Sequence, residues 1–370
     1  MKVALIHDHL AQDGGAEKVL KVLAEMFPEA PIFTLLSDKN NVDKYFKNRH
    51  IETSIIQKLP GGVSHYQWYL LFMPMAVEFF DLREYDLVIS DTSSFAKGVI
   101  TAPDCLHICY CHTPTRYLWS DTHQYINELK YNKWLKKIIS LVLNSIRLWD
   151  RAAADRVDLF IANSRTVQKR ITKYYRRESI VIYPPVETER FKIVDLREQK
   201  VAERYFLAGC RLAPYKRIDL VISAFKKLGT DYKLKIFGDG VDLERLKELA
   251  AAATNIEFLG RVTEEEKVRL FGAAQAFINP QEEDFGITVV ESMASGRPVI
   301  AYRKGGATET IIEGKTGLFF DEQTDESLLA VIKNFSADDF DPTEIHAHAS
   351  NFSVANFQKN INQFIAANKK

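Results

Sequence analysis

Apolar positions along the chain fall into two alternating patterns. Short continuous apolar runs, "KVALIH", "DLVISDT", "HICYCHTP" and "DLFIANS", end in polar or small residues and read as buried strands. Between them, "AEKVLKVLAEMF" carries its apolar residues at helical spacing. Strand, glycine loop "AQDGG" and helix form the opening of an α/β unit. The alternation stops at "VIYPPVETERFKIVDLREQKVAER", where Pro184 and Pro185 favour extended backbone and a charged stretch follows. It then starts afresh: "YFLAGCRL", "YKLKIFGDG", "NIEFLGRV", "AFINP" and "PVIAY" are strands, separated by the helical patterns "KRIDLVISAFKKL", "DLERLKELAAAA" and "EEEKVRLFGAAQ". The predicted organisation is a first α/β domain over 1–184, a connection over 185–204, a second α/β domain over 205–345, and a helical tail over 346–370 that returns to the first domain. Two doubly wound parallel sheets facing a cleft are the expected architecture.

One residue breaks the pattern. In "EEDFGITVVES" the run Ile287 to Met293 reads as a helix stopped by Gly296, apolar nearly all round and therefore buried. Glu291 sits inside it. A buried carboxylate is costly without a partner, and a ligand is the expected partner. The start of that helix offers the N–H groups of Phe285, Gly286, Ile287 and Thr288 and the positive end of a dipole, which suits an anion. Glu291 lies one turn beyond Thr288 on the same face, where a carboxylate can accept from a ribose diol. Glu283 lies in the loop just before. Arg211 and Lys216 of "CRLAPYK" follow a strand and suit a diphosphate, Arg with paired donors and Lys as a point charge. Gly238 and Gly240 of "FGDG" would let backbone approach a ligand. Each of these alone is better read as a surface cation or a plain turn. Neither GxGxxG nor a P-loop is present.

Composition narrows the class. The 370 residues suit two domains, 46% are hydrophobic, and Lys plus Arg balance Asp plus Glu at 49 each, so charge offers no argument for nucleic acid. Four cysteines do not make a disulfide framework. No apolar run is long enough to suggest a membrane span and no signal peptide is evident, so a cytoplasmic location is expected, free or at the inner face of the cell membrane. Two segments are distinctive: the aromatic "HYQWYLLFMPMAVEFF" over 65–80 and the basic amphipathic stretch over 130–151 with Trp134 and Trp149. They read as core helices with a solvated face, or as peripheral membrane contacts of the first domain. His107, Cys109 and Cys111 share a strand face and could hold a soft metal, but a buried strand is the simpler reading.

Taken together, "CRLAPYKRIDLVISAF", "FGDG", "FLGRV", Glu283 and Glu291 around "DFG", and "ASGRPVIAYRKGGATE" resemble the retaining nucleotide-sugar glycosyltransferases of family 4, with the GT-B fold of two Rossmann-like domains. The resemblance is strong over about 205–320 and looser before. It implies that Arg211 and Lys216 neutralise the donor diphosphate and Glu283 lies near the donor sugar. It likewise implies that the Phe285–Thr288 backbone meets sugar and phosphate, and that Glu291 holds the ribose. By the same resemblance Gly238, Arg261 and Val262 hold diphosphate and base, Gly14 and Gly15 form the glycine loop, and His112 of "CHTPTRYLW" contacts the donor sugar. Cys210 departs from the family, where Gly is common. The wording is similar to bacterial mannosyltransferases of surface polysaccharide assembly. This implies GDP-mannose as donor, a glycan or lipid-linked glycan as acceptor, and catalysis with no metal or other cofactor. A transferase using a UDP-sugar, a nucleotide-sugar epimerase, a phosphorylase-like enzyme and a non-catalytic nucleotide-sugar-binding subunit remain as alternatives.

Overall fold

The structure is a computed structural model that describes residues 1–11, 14–129, 131–194 and 204–369. Parts of the expected glycine loop (12–13) and of the expected connection (195–203) lie outside the described residues. The chain forms two compact units, Met1–Tyr183 with Gln358–Lys370, and Pro184–Phe357.

The first unit is built on a seven-stranded parallel sheet in the order β3-β2-β1-β4-β5-β6-β7. The strands are β1 Val3–His7, β2 Ile32–Thr34, β3 Ile51–Thr53, β4 Leu87–Thr92, β5 Leu106–Cys111, β6 Leu159–Ala162 and β7 Ser179–Val181. Central strand β4 is buried along its whole length, as expected when helices cover both faces of a parallel sheet. The first helix, Gly15–Met26, turns Val19, Leu20, Val22 and Leu23 onto the sheet. Register pairs His7 with Asp91 across β1 and β4, so the polar ends of both strands finish side by side.

The second unit has a six-stranded parallel sheet in the order β10-β9-β8-β11-β12-β13. Its strands are β8 Tyr205–Gly209, β9 Lys233–Phe237, β10 Ile256–Gly260, β11 Ala274–Asn279, β12 Val299–Tyr302 and β13 Gly317–Phe320. One core runs under the helix Ile218–Leu228, joining Val221, Ile222 and Phe225 to Phe206, Ile236 and Ile278 of the strands. The described part of the expected connection is packed into this unit. Val186 bridges to Ser353, and the buried Phe191 meets Phe271 with ring centroids 6.1 Å apart. The expected tail is two helices, Pro342–Ala349 and Val354–Asn368, broken by a turn at Ser350–Phe352.

Helix Lys133–Asp155 divides along its length. Its later turns bury Leu143, Ile146, Asp150 and Ala153. Its earlier turns leave Trp134 76% exposed, with Ile138 and Leu141 also out. Trp149 does not join Trp134 on an outer face: its indole N–H donates to Glu78 at 2.8 Å and its ring lies against Phe95.

Candidate functional site

In each sheet the strand order reverses once, between β1 and β4 and between β8 and β11. Connections leave such a point in opposite directions, opening a crevice at the carboxyl ends of the strands. Arg211, Lys216 and Glu283 lie at the second of these places and Gly14 and Gly15 follow β1 at the first, whereas Gly238 follows β9, Arg261 follows β10 and His112 follows β5.

In the second unit the loop after β8 carries Arg211 and Lys216, and the loop after β11 carries Glu283. An ion pair between the Lys216 ammonium and the Glu283 carboxylate ties the two loops together, with side chains 14% and 17% exposed. Burial works against the Lys216 charge, but the adjacent Glu283 carboxylate outweighs it and raises the ammonium's pKa. Arg211 is exposed, and its guanidinium donates to the Tyr215 hydroxyl at 3.2 Å. Cys210, pushed up to about 12 by burial, stays a thiol.

The Glu283 loop is held from behind by "KGG". Gly306 N–H donates to the Glu283 carbonyl at 2.8 Å. A Cβ on Gly305 would lie 2.2 Å from that carbonyl oxygen, so only glycine fits. Phe285 is buried and anchored against Phe352. Gly286 takes the left-handed conformation at φ 92° and caps helix Ile287–Ala294. The first-turn N–H groups, including Ile287 and Thr288, have no acceptor inside the helix, so its positive end lies beside the Lys216–Glu283 pair.

One expectation is corrected here, and two further predicted residues also have contacts within the chain. Glu291 is buried as predicted, but its partner is within the chain: Lys267 Nζ, from helix Glu264–Ala273, lies 2.6 Å away, with side chains 3% and 10% exposed. Gly238 is required by a contact within the protein. At φ 116° its Cβ would fall 1.9 Å from the Cys210 carbonyl oxygen, so the glycine lets the loops after β8 and β9 touch. Arg261 is 85% exposed and pairs with Asp239 at 3.2 Å, beside the half-buried Val262.

In the first unit, His112 follows β5 and its Nε2 lies 2.6 Å from Asp91 Oδ1. Asp91 Oδ2 is 2.9 Å from His7 Nδ1, and His7 Nε2 faces Glu17 Oε1 at 3.8 Å. Glu17 also accepts from Gly14 N–H at 2.9 Å, where the first helix begins at Gly15. Burial disfavours charge on His7, yet the Asp91 and Glu17 carboxylates carry its pKa up to about 10. Burial likewise opposes ionisation of Asp91, and the two imidazoles overcome it and hold its carboxyl below the usual range. Because folding raises the His7 pKa, this pairing adds stability that is complete below the unfolded value of about 6.5. That stability is lost as pH climbs through about 10.

The sequence pattern singles out His112 but not the residues linked to the predicted ones here, His7, Glu17, Asp91 and Lys267. The signals were weak: a polar residue ending each strand ("IHDH", "ISDT") and a lysine inside an acidic run ("EEEK"). On β5, His107 Nε2 meets Ser90 Oγ at 2.8 Å, while Cys109 and Cys111 pack in an apolar cluster with Phe160 and Val167. Burial lowers the His107 imidazole to about 4. Among the described residues no three His, Cys, Asp or Glu side chains are grouped to hold a metal, and no helix is long and apolar enough to cross a membrane.

The sequence matches the family Glycosyltransferase Family 4 over residues 13–190 and the family Glycosyl transferases group 1 over 189–352. Among relatives, it is 26% identical over 375 residues to alpha-1,3/1,6-mannosyltransferase ALG2 of Kluyveromyces lactis, spanning 84% of this chain and 71% of that one. It is 31% identical to a GDP-mannose-dependent alpha-(1-6)-phosphatidylinositol monomannoside mannosyltransferase of Mycolicibacterium smegmatis, over 42% of this chain and 46% of that one. The solved structure of Anabaena Alr3699/HepE in complex with UDP and glucose superposes with a TM-score of 0.72 at 21% identity, over 99% of each chain. The fold is GT-B, two Rossmann-like parallel-sheet domains. The chain is a glycosyltransferase related to these two families: an enzyme that moves a sugar from a nucleotide-sugar donor to an acceptor. The non-catalytic reading is thereby set aside.

Proposed function

We propose that the chain transfers a hexose, with retention of anomeric configuration, from a nucleoside diphosphate sugar to a hydroxyl of a glycan or lipid-linked glycan in bacterial surface polysaccharide synthesis. The observation that carries this is the Lys216–Glu283 pair beside Arg211 and a helix N-terminus at the second sheet's switch point. Departure of a diphosphate builds negative charge, and preorganised cations and helix N–H groups stabilise it without a metal. Glu283 holds Lys216 charged until donor arrives, then meets the sugar. Glu291, with Lys267 behind it, accepts from the ribose.

Two donors have support of different kinds. Solved structures of this fold hold UDP and glucose, or UDP-glucose. The names of the two sequence relatives described above point to mannose, one of them explicitly to GDP-mannose. Thermal unfolding with UDP, GDP, ADP and TDP, each with magnesium and with EDTA, separates them. A nucleotide at about 100 times its Kd should stabilise by about 2.7 kcal/mol. Selective UDP stabilisation makes a UDP-hexose the donor, and selective GDP stabilisation makes it GDP-mannose. Loss of the shift in EDTA defeats the metal-independent reading, and no shift with any nucleotide defeats the donor site. An epimerase would convert the nucleotide sugar with no acceptor present, which product analysis detects.

The same proposal places the enzyme against an anionic membrane through its first unit. Trp68, Phe72 and Phe79 are half or more exposed, as are Trp134, Ile138 and Leu141 of the long helix, next to Lys133 and Lys137. Lys133→Glu with Lys137→Glu should lower partition onto phosphatidylglycerol vesicles by about 1 kcal/mol or more per residue, most at low salt. A parent protein that stays in the supernatant at low salt removes the membrane contact.

A further inference from the structure

The first unit contains a buried charge chain that the transfer reaction as proposed does not use. It begins at the glycine loop, where Gly14 N–H donates to Glu17. It continues from Glu17 to His7, from His7 to Asp91 and from Asp91 to His112. Four elements contribute: the first helix, β1, β4 and the end of β5. His7, Glu17 and Asp91 are buried, whereas His112 keeps 13% of its side chain exposed. His112 is therefore the end of the chain that a ligand can reach.

The geometry specifies the state of His7. Its Nδ1 faces two acceptors on Asp91, Oδ2 at 2.9 Å and the backbone carbonyl at 3.1 Å. Its Nε2 faces the Glu17 carboxylate at 3.8 Å. Both ring nitrogens thus point at oxygens that only accept, which favours the doubly protonated imidazolium. Asp91 is then shared. One oxygen serves a fixed cation and the other accepts from His112 Nε2, which leaves Nδ1 as the His112 nitrogen that gains or loses a proton. Other ionisable groups surround the chain. Asp8 is already satisfied by Thr92 Oγ1 and by the N–H groups of Ser93, Phe95 and Ala96 at 2.7–2.9 Å. His9 is half-buried with its ring against Tyr66. Tyr110 packs edge-on against His112 and donates its hydroxyl proton to the Ile182 carbonyl.

We infer that Glu17, His7 and Asp91 form a fixed-charge relay that orients His112 and sets its protonation state, making His7 and Asp91 positioning residues for the transfer. The relay rests on the reading of His112 as a residue of the donor site. Its logic is charge sharing. While His7 holds a full positive charge, half of the Asp91 carboxylate is neutralised from the side away from the ligand. His112 Nε2 is fixed on the other Asp91 oxygen, which leaves Nδ1 as the ring nitrogen to meet a sugar hydroxyl. The same chain ties the glycine loop to His112, because Glu17 contacts both Gly14 and His7.

The test uses the full chain and two opposed variants. His7→Gln removes the fixed cation, so Asp91 acts on His112 alone. The His112 ring titration followed by NMR should move to higher pH by about 1 unit, the scale of a single close charge. The acid limb of the kcat profile should move with it. Asp91→Asn removes the carboxylate, and both should move to lower pH. Equal midpoints in parent and both variants would overturn the relay, as would shifts of the same sign. If the ring titration moves as expected while the acid limb does not follow, the relay stands and the assignment of His112 to the reaction fails. If His7→Gln does not fold, Glu17→Gln carries the test. Its amide oxygen can still accept from Gly14, and the His7 titration should fall from about 10. An unchanged His7 titration in that variant counts against the relay.

Discussion

Arg211→Ala should fold and melt like the parent and lose about 10²–10³ in kcat, the loss expected when one preorganised donor to a developing oxyanion is removed, about 2.7–4 kcal/mol. Melting should hold because Arg211 lies exposed on a loop and fills no core position. Lys216→Met should show a comparable kinetic loss with a different companion effect. It leaves Glu283 without its ammonium partner in a site where that side chain is only 17% exposed, so the melting temperature should drop as well. The contrast separates a residue that meets the ligand from one that also holds the loops after β8 and β11 together. Steady-state kinetics with saturating donor, read beside a thermal melt, checks both. Full turnover in Arg211→Ala would remove Arg211 from the mechanism.

The largest stability effect should come from the buried pair behind the candidate ribose site. Glu291→Gln and Lys267→Met each remove one side of a charge pair whose side chains are nearly or fully buried, while Lys267 keeps Glu264 at 3.9 Å. Removal of one partner of such a pair costs about 3–5 kcal/mol. Denaturant titration should show this as a lower midpoint at unchanged slope. The two variants should then part company when nucleotide is added. In Lys267→Met the Glu291 carboxylate lacks its ammonium and gains more from a ribose diol, so the nucleotide-induced stabilisation should exceed that of the parent. In Glu291→Gln the carboxylate is gone and the stabilisation should shrink. Equal nucleotide responses in both would make Glu291 a purely structural residue.

Much of this protein is legible along the chain. The long apolar runs became central strands, and the helical spacing of "AEKVLKVLAEMF" and "KRIDLVISAFKKL" became helices Gly15–Met26 and Ile218–Leu228. These readings work because burial on both faces of a parallel strand, or on one stripe of a helix, leaves a local signature of period or run length. The burial of Glu291 was legible for the same reason, since its helix is apolar nearly all round. Strands β2, β3 and β7 were not, because each has three residues and no period can be read from so few. Trp134 and Trp149 look equivalent on one amphipathic helix, but core contact begins at Ile139 and full burial only at Leu143. Nothing in the helix itself records where that cover starts.

Partners are a different matter from elements. His7 and Asp91 are 84 residues apart in the chain and meet only because β1 and β4 are neighbours in register. Lys216 and Glu283 are 67 apart and meet because the sheet reverses between β8 and β11. Local chemistry marks which residues are polar at the end of a strand or helix, so the amino-acid order alone states that such residues exist and that Glu291 needs a partner. Which carboxylate meets which cation follows from strand order and register. Those arise from packing the whole set of apolar faces at once, a non-local condition that no window of sequence contains.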